Sequence, residues 1–170
     1  LKNVAGGTNL SLEAFNKSQN LPQLFSAGGW KDILRATKIS EEFHLNYIVL
    51  GGGDSYQRAE AIAKTGATVI VPVNYPTAYD LSDPFLARFV SLTELKHWEL
   101  APSNAAILNN AGVNICFTSE GLKSPSELLP AVKKAVERGL PEGAALAALT
   151  SNPAKAIGAE ELVGSISKGL

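Results

Sequence analysis

Methionine is absent from this chain of 170 residues, cysteine occurs once, and histidine and tryptophan occur twice each. Each shortage removes a class of chemistry. The single cysteine, Cys116, cannot close a disulfide within the chain, and its place in the apolar run "VNICFT" marks a small buried hydrophobe instead of a nucleophile. Two histidines cannot build a metal centre by themselves, because zinc takes several His, Cys or carboxylate ligands and no pair here has ligand spacing. His44, in "EEFHLN", reads as a solvated residue at a helix end, and His97, in "ELKHWE", as a structural helix residue. No apolar run approaches the roughly 18 residues that a membrane-spanning helix needs. Charge of one sign is lacking too: 15 Lys and Arg meet 16 Asp and Glu for a net charge of −1, and no basic stripe offers itself to nucleic acid. With no methionine and an ending in "SISKGL", the chain is expected to be a segment of a longer protein, any signal peptide lying upstream.

What is present is apolar sequence in strand-length runs, 45% hydrophobic overall, enough for one domain with a sizeable core. Residues 1–20 read as a leading helix or linker and 21–170 as β/α units. Strands are expected near Leu24–Ser26, Tyr47–Leu50, Val69–Val71 and Asn114–Thr118; their continuous apolar character is that of parallel strands covered on both faces. Between them, "GGWKDILRATKISEEF" has helical spacing, "SYQRAEAIAKTG" is a helix stopped by Gly66, and "SLTELKHWE" and "PSNAAILNNAG" are two more. Asn74 to Phe89 reads as a long loop. "SPSELLPAVKKAVERG" opens with Ser124 and Glu127 at capping-box spacing, and "PEGAALAALT" and "NPAKAIG" complete the helices. Strict alternation of strands and helices implies an α/β protein with a parallel sheet and right-handed crossovers.

The glycines of "GGGDSY" raise the question of a nucleotide phosphate. A dinucleotide fingerprint needs a third glycine where Tyr56 stands and an acidic residue after the next strand, where only Asn74 is found, so a tight strand-to-helix turn at Gly51 to Gly53 is preferred over a nucleotide-binding module. Asp54, Asp80, Asp83, Glu99 and Glu120 are the carboxylates nearest strand ends or the long loop. Glu120 stands out, because "FTSEGL" puts Ser119 and Glu120 just past the last strand, where parallel α/β folds collect ligands and catalytic groups. Tyr75, Tyr79 and Asn104 are the candidate substrate-binding residues.

"SLTELKHWELAPSNAAILNNAGVNICFTSEGL" and "AALAALTSNPAKAIGAEELVGSISKGL" resemble the amidohydrolase superfamily, in its imidazolonepropionase-like branch, and "LFSAGGWKDILRATKISEEFHLNYIVLGGGDSY" is similar to the stretch around that family's fifth and sixth barrel strands. The resemblance implies half of a TIM-type (β/α)8 barrel, strands five to eight, in a hydrolase acting on carbon–nitrogen bonds other than peptide bonds, with divalent metal such as zinc as its cofactor. It also exposes departures. Ser26 stands at the position of one metal-binding histidine, Gly51 or Gly52 at that of another, and Ser119 at that of the aspartate which binds metal and takes a proton from water. The family's His-x-His pair would lie upstream.

The resemblance therefore implies a degenerate barrel segment, itself non-catalytic and without its own metal or cofactor, similar to ligand-poor domains of large bacterial exported proteins. It implies a periplasmic or exported setting, with the cytoplasm as the alternative. Glu120 is the residue that would replace Ser119 as acid or ligand. The alternative role is a scaffold or docking domain for an active partner barrel. The expected partners are the remainder of a parent barrel or a second copy of the chain, since a half barrel leaves two unpaired strand edges.

Overall fold

The computed structural model describes residues 9–166. Helix α1 (Leu10–Lys17) leads, followed by β1 (Gln23–Ser26), α2 (Trp30–Phe43), β2 (Tyr47–Leu50), a 3-10 turn (Ser55–Arg58), α3 (Ala59–Ala63) and β3 (Thr68–Pro72). Then come α4 (Pro84–Ala87), α5 (Leu92–Leu100), α6 (Asn104–Asn110), β4 (Ile115–Thr118), α7 (Leu128–Glu137), α8 (Glu142–Leu149) and α9 (Ser151–Ala156). The strands form one parallel sheet in the order β1-β2-β3-β4. Chain order without reversal is the arrangement of half a (β/α)8 barrel, and it lacks the switch point at which Rossmann sheets bind nucleotides.

The register explains the core. Phe25, Val49, Val69 and Ile115 lie side by side across the sheet. Val49 and Val69 are fully buried and Ile115 is 1% exposed, packed with Ile33, Ile62 and Leu108 from the helices. Burying such side chains stabilises the fold by about 1.5–3 kcal/mol each. The neighbouring row, Ser26, Leu50, Ile70 and Cys116, points to the opposite face. Along this face cover improves from one side to the other: Leu24 is 61% exposed, whereas Cys116 is buried.

Both outer strands have a single neighbour in the sheet, as expected of half a barrel, but their cover differs. Contacts from α8 and α9 flank β4, and the Asn152 side-chain amide donates to the Ile115 carbonyl at 2.8 Å. β1 has only β2 beside it in the sheet, as β4 has only β3. Three local expectations also change. The helix expected over "SYQRAEAIAKTG" splits into the 3-10 turn and the short α3, and the loop from Asn74 to Phe89 contains α4. At the start of α7, Ser124 Oγ accepts from the Ser126 N–H, while Glu127 Oε2 accepts from the Lys123 N–H, so the expected box is not reciprocal. A complete capping box stands instead at α5, where Ser91 Oγ accepts from Glu94 N–H at 3.2 Å and Glu94 Oε2 accepts from Ser91 N–H at 2.7 Å.

Candidate functional site

The C-terminal ends of the strands gather the expected site residues, and the first pair of ends is crowded with backbone. Ala27 N–H donates to the Leu50 carbonyl and Gly51 N–H to the Ile70 carbonyl, so the ladder runs one residue past each strand. A Cβ on Gly51 would sit 3.3 Å from both Val69 and the Ser55 hydroxyl, which is itself buried with no hydrogen-bond partner among the described residues. A Cβ on Gly52 would collide with the Gly28 carbonyl, and Gly53 has φ 88°. The three glycines thus serve close loop-to-loop approach and a left-handed turn. Asp54 completes the junction by accepting the Trp30 N–H at 2.9 Å, which caps the otherwise uncapped start of α2. A carboxylate fixed beside this loop repels a phosphate, so charge, sterics and strand order all oppose the nucleotide reading.

Ser26, Gly51, Gly52 and Glu120 do come together, lining a 260 Å³ cleft with Asn74 and Gly121. Ser119 is not among its lining residues. Of the five carboxylates singled out in the sequence, four are engaged nearby: Asp54 as described, Asp80 with Ser82, Asp83 with the Phe85 N–H, and Glu99 with Arg138 at 2.7 Å. Glu120 alone faces the cleft, its N–H held by Thr118 Oγ1 at 3.1 Å. A divalent metal does not fit this end of the sheet. Serine and glycine stand at the three positions where the resemblance leads one to expect ligands, the Gly52 side-chain space is filled by Gly28, and among the described residues no group of three or more His, Cys, Asp and Glu could hold an ion.

The second pair of ends is open. A 610 Å³ cavity beyond β3 and β4 is lined by Asn74, Tyr75, Trp98, Lys123, Glu127 and Lys134 with neighbouring loop residues. Tyr75 reaches across to α7, donating its hydroxyl to the Ala131 carbonyl at 3.1 Å; burial pushes its phenol up to about 12. Lys134 Nζ lies 5.3 Å from the centre of the same ring. Asn74 rests against Gly121, whose φ of 79° and bare Cα make room for the carboxamide.

Of the proposed substrate-binding residues, only Tyr75 reaches this cavity. Tyr79 stands on the loop, 36% exposed, and Asn104 is buried with its Oδ1 accepting the Tyr56 N–H at 2.7 Å. His97 stacks on Tyr56 with ring centres 6.1 Å apart and its Nδ1 3.2 Å from the Tyr56 hydroxyl, beside a 100 Å³ cavity that also meets Gly52 and Asn74. His44 ends α2 in the left-handed region, exposed. Cys116 is buried, and desolvation raises its thiol to about 11, out of the nucleophilic range. Asn74, Trp98 and Lys134 are site residues that the sequence did not disclose. Asn74 had a visible clue in its place after a buried strand, whereas Lys134 looked like any cation on an exposed helix face.

Solved structures supply the comparison. The chain is similar to an amidohydrolase from Thermotoga maritima, with 28% identity and a TM-score of 0.71 over 98% of this chain. It spans 40% of that protein's length. A prolidase solved with N-methylphosphonate-L-proline shares the fold at 20% identity and a TM-score of 0.60, over 86% of this chain and 35% of its own. Another amidohydrolase does so at 18% identity and 0.56, covering 84% and 34%. No protein-family model and no curated protein matches the chain. The chain thus has amidohydrolase-superfamily fold homology, as a part of such a barrel whose described residues are poor in metal ligands; the likeness is not specific to the imidazolonepropionase-like branch.

Proposed function

We propose that this chain is the non-catalytic half of an amidohydrolase-type barrel: it supplies a wall and scaffold, while hydrolysis of carbon–nitrogen bonds by the whole protein depends on ligands held elsewhere. One observation carries the reading. The space in which a side chain at Gly52 would enter the cleft is taken by the Gly28 carbonyl, so this position admits no ligand side chain. Ser26 and Ser119 make poor substitutes, because a metal activates water only when ligands hold it and a base takes the proton. Purified chain should carry far less than one zinc per molecule after incubation with zinc and gel filtration, and should leave cyclic amides intact. Stoichiometric zinc lost on mutation of Glu120 or His97 would overturn the proposal.

Association is part of the same reading. β1 has one neighbour in the sheet and Leu24 beside that edge is 61% exposed, which favours pairing with the remainder of a barrel or with a second copy of the chain. Sedimentation should find a dimer at micromolar concentration that Leu24→Lys dissociates; a monomer under those conditions rules out self-pairing. A periplasmic or exported setting belongs to this proposal on the strength of the resemblance alone.

A further inference from the structure

The open cavity beyond β3 and β4 has a chemistry of its own, and we propose that it binds a small organic carboxylate with a flat apolar body, seated between Tyr75 and Trp98 with its anionic head toward Lys123 and Lys134. The inference rests on reading the strand C-terminal ends as the ligand-facing side and is independent of whether any metal is bound.

Charge sets the polarity of the ligand. Two lysines, Lys123 and Lys134, line the cavity against one acidic residue, Glu127, and the Lys134 ammonium lies over the Tyr75 ring. Glu127 is turned toward its own loop, its Oε2 accepting the Lys123 N–H at 3.2 Å. Among the described residues no carboxylate lies within 4.0 Å of either lysine's Nζ. The cavity therefore presents a surplus of positive charge that a bound anion would neutralise.

Shape sets the rest. Tyr75 is held rigidly by its bond to Ala131, so its ring is a preformed wall, and Trp98 on α5 supplies another. Preformed aromatic walls stabilise a planar apolar body at little entropic cost. Asn74, placed against Gly121 and without a side-chain hydrogen-bond partner among the described residues, offers a neutral donor and acceptor between this cavity and the cleft that holds Glu120. Inorganic phosphate would satisfy the lysines and leave the aromatic walls unused.

Titration of the full chain with benzoate, benzamide and inorganic phosphate, followed by ¹⁵N–¹H spectra, tests the proposal. Benzoate should give saturable shifts at the Trp98 indole, assigned with Trp98→Phe, and at the Lys134 amide, with affinity about tenfold above that of benzamide. The double variant Lys123→Gln and Lys134→Gln should erase that preference while leaving distant signals in place. Equal binding of benzamide would reduce the site to an apolar groove, and phosphate binding as tightly as benzoate would reduce it to a bare anion site; either result, or no saturation, overturns the proposal. Zinc uptake by the chain would sink the preceding proposal and leave this one standing.

Discussion

The ends of β1 and β2 and the ends of β3 and β4 belong to one sheet, yet they leave different amounts of space. At the first pair, the Gly28 backbone fills the side-chain space of Gly52 and Asp54 caps α2, which leaves a cleft of 260 Å³. At the second, Asn74, Tyr75, Trp98 and Lys134 hold open a cavity of 610 Å³. The difference teaches that the residue type at a strand end and the space around it are decided separately. At Gly52 the neighbouring loop fills the side-chain space, and the larger cavity lies beside β3, which is followed by a long loop.

The comparison breaks most decisively at Gly52. Gly52→Ala drives a Cβ into the Gly28 carbonyl, and urea unfolding should show a loss of about 3 kcal/mol, near the upper end for overpacking. A Gly52→His variant should be no less destabilised and should gain no zinc, since the space a ligand needs is already filled; wild-type stability in either variant would refute the crowding. Gly121→Ala tests the open side. Forcing a Cβ into a left-handed turn and onto Asn74 should cost about 2 kcal/mol, and the Asn74 side-chain signals should shift in ¹⁵N–¹H spectra.

Smaller effects sharpen the contrast. Asp54→Ala removes the acceptor at the start of α2 and should lower stability by about 1 kcal/mol, with amide exchange accelerated in the first turn around Trp30. If Asp54→Asn restores that protection, the role is hydrogen bonding and not charge. Tyr75→Phe should cost a similar or slightly smaller amount through the lost bond to Ala131. It should also change the alkaline limb of stability. With the folded phenol raised from 10.0 to about 12, the unfolded chain loses this proton first as pH climbs, so the wild type should lose stability between those values and the variant should lose less.

Much of the fold was legible because it depends on local pattern. Continuous apolar runs at "NYIVLG" and "ATVIVPV" mark parallel strands, and β2 spans the expected Tyr47–Leu50. The capping boxes show the limit of pattern alone. The Ser-x-x-Glu spacing occurs at both Ser91 and Ser124, but the second is followed by Pro125 in a 3-10 turn, and Glu127 bonds to Lys123 instead of returning to Ser124. Tyr75 was recognisable as an aromatic on a loop after a buried strand. Asn104 looked equally available, yet it is spent on the Tyr56 N–H from 48 residues away in the chain.

By itself the sequence determined that this protein is a run of parallel β/α units whose strand ends carry serine and glycine at Ser26, Gly51, Gly52 and Ser119, because residue identity and apolar periodicity are properties of neighbours along the chain. Only the tertiary structure decided which strand ends are crowded and which stay more open. Clearance between loops is set by strand register and spacing: the pairing of Ser26 with Leu50 brings Gly28 onto Gly52, and that of Pro72 with Thr118 lays Asn74 against Gly121. Neither proximity can be read from residues so far apart in the chain.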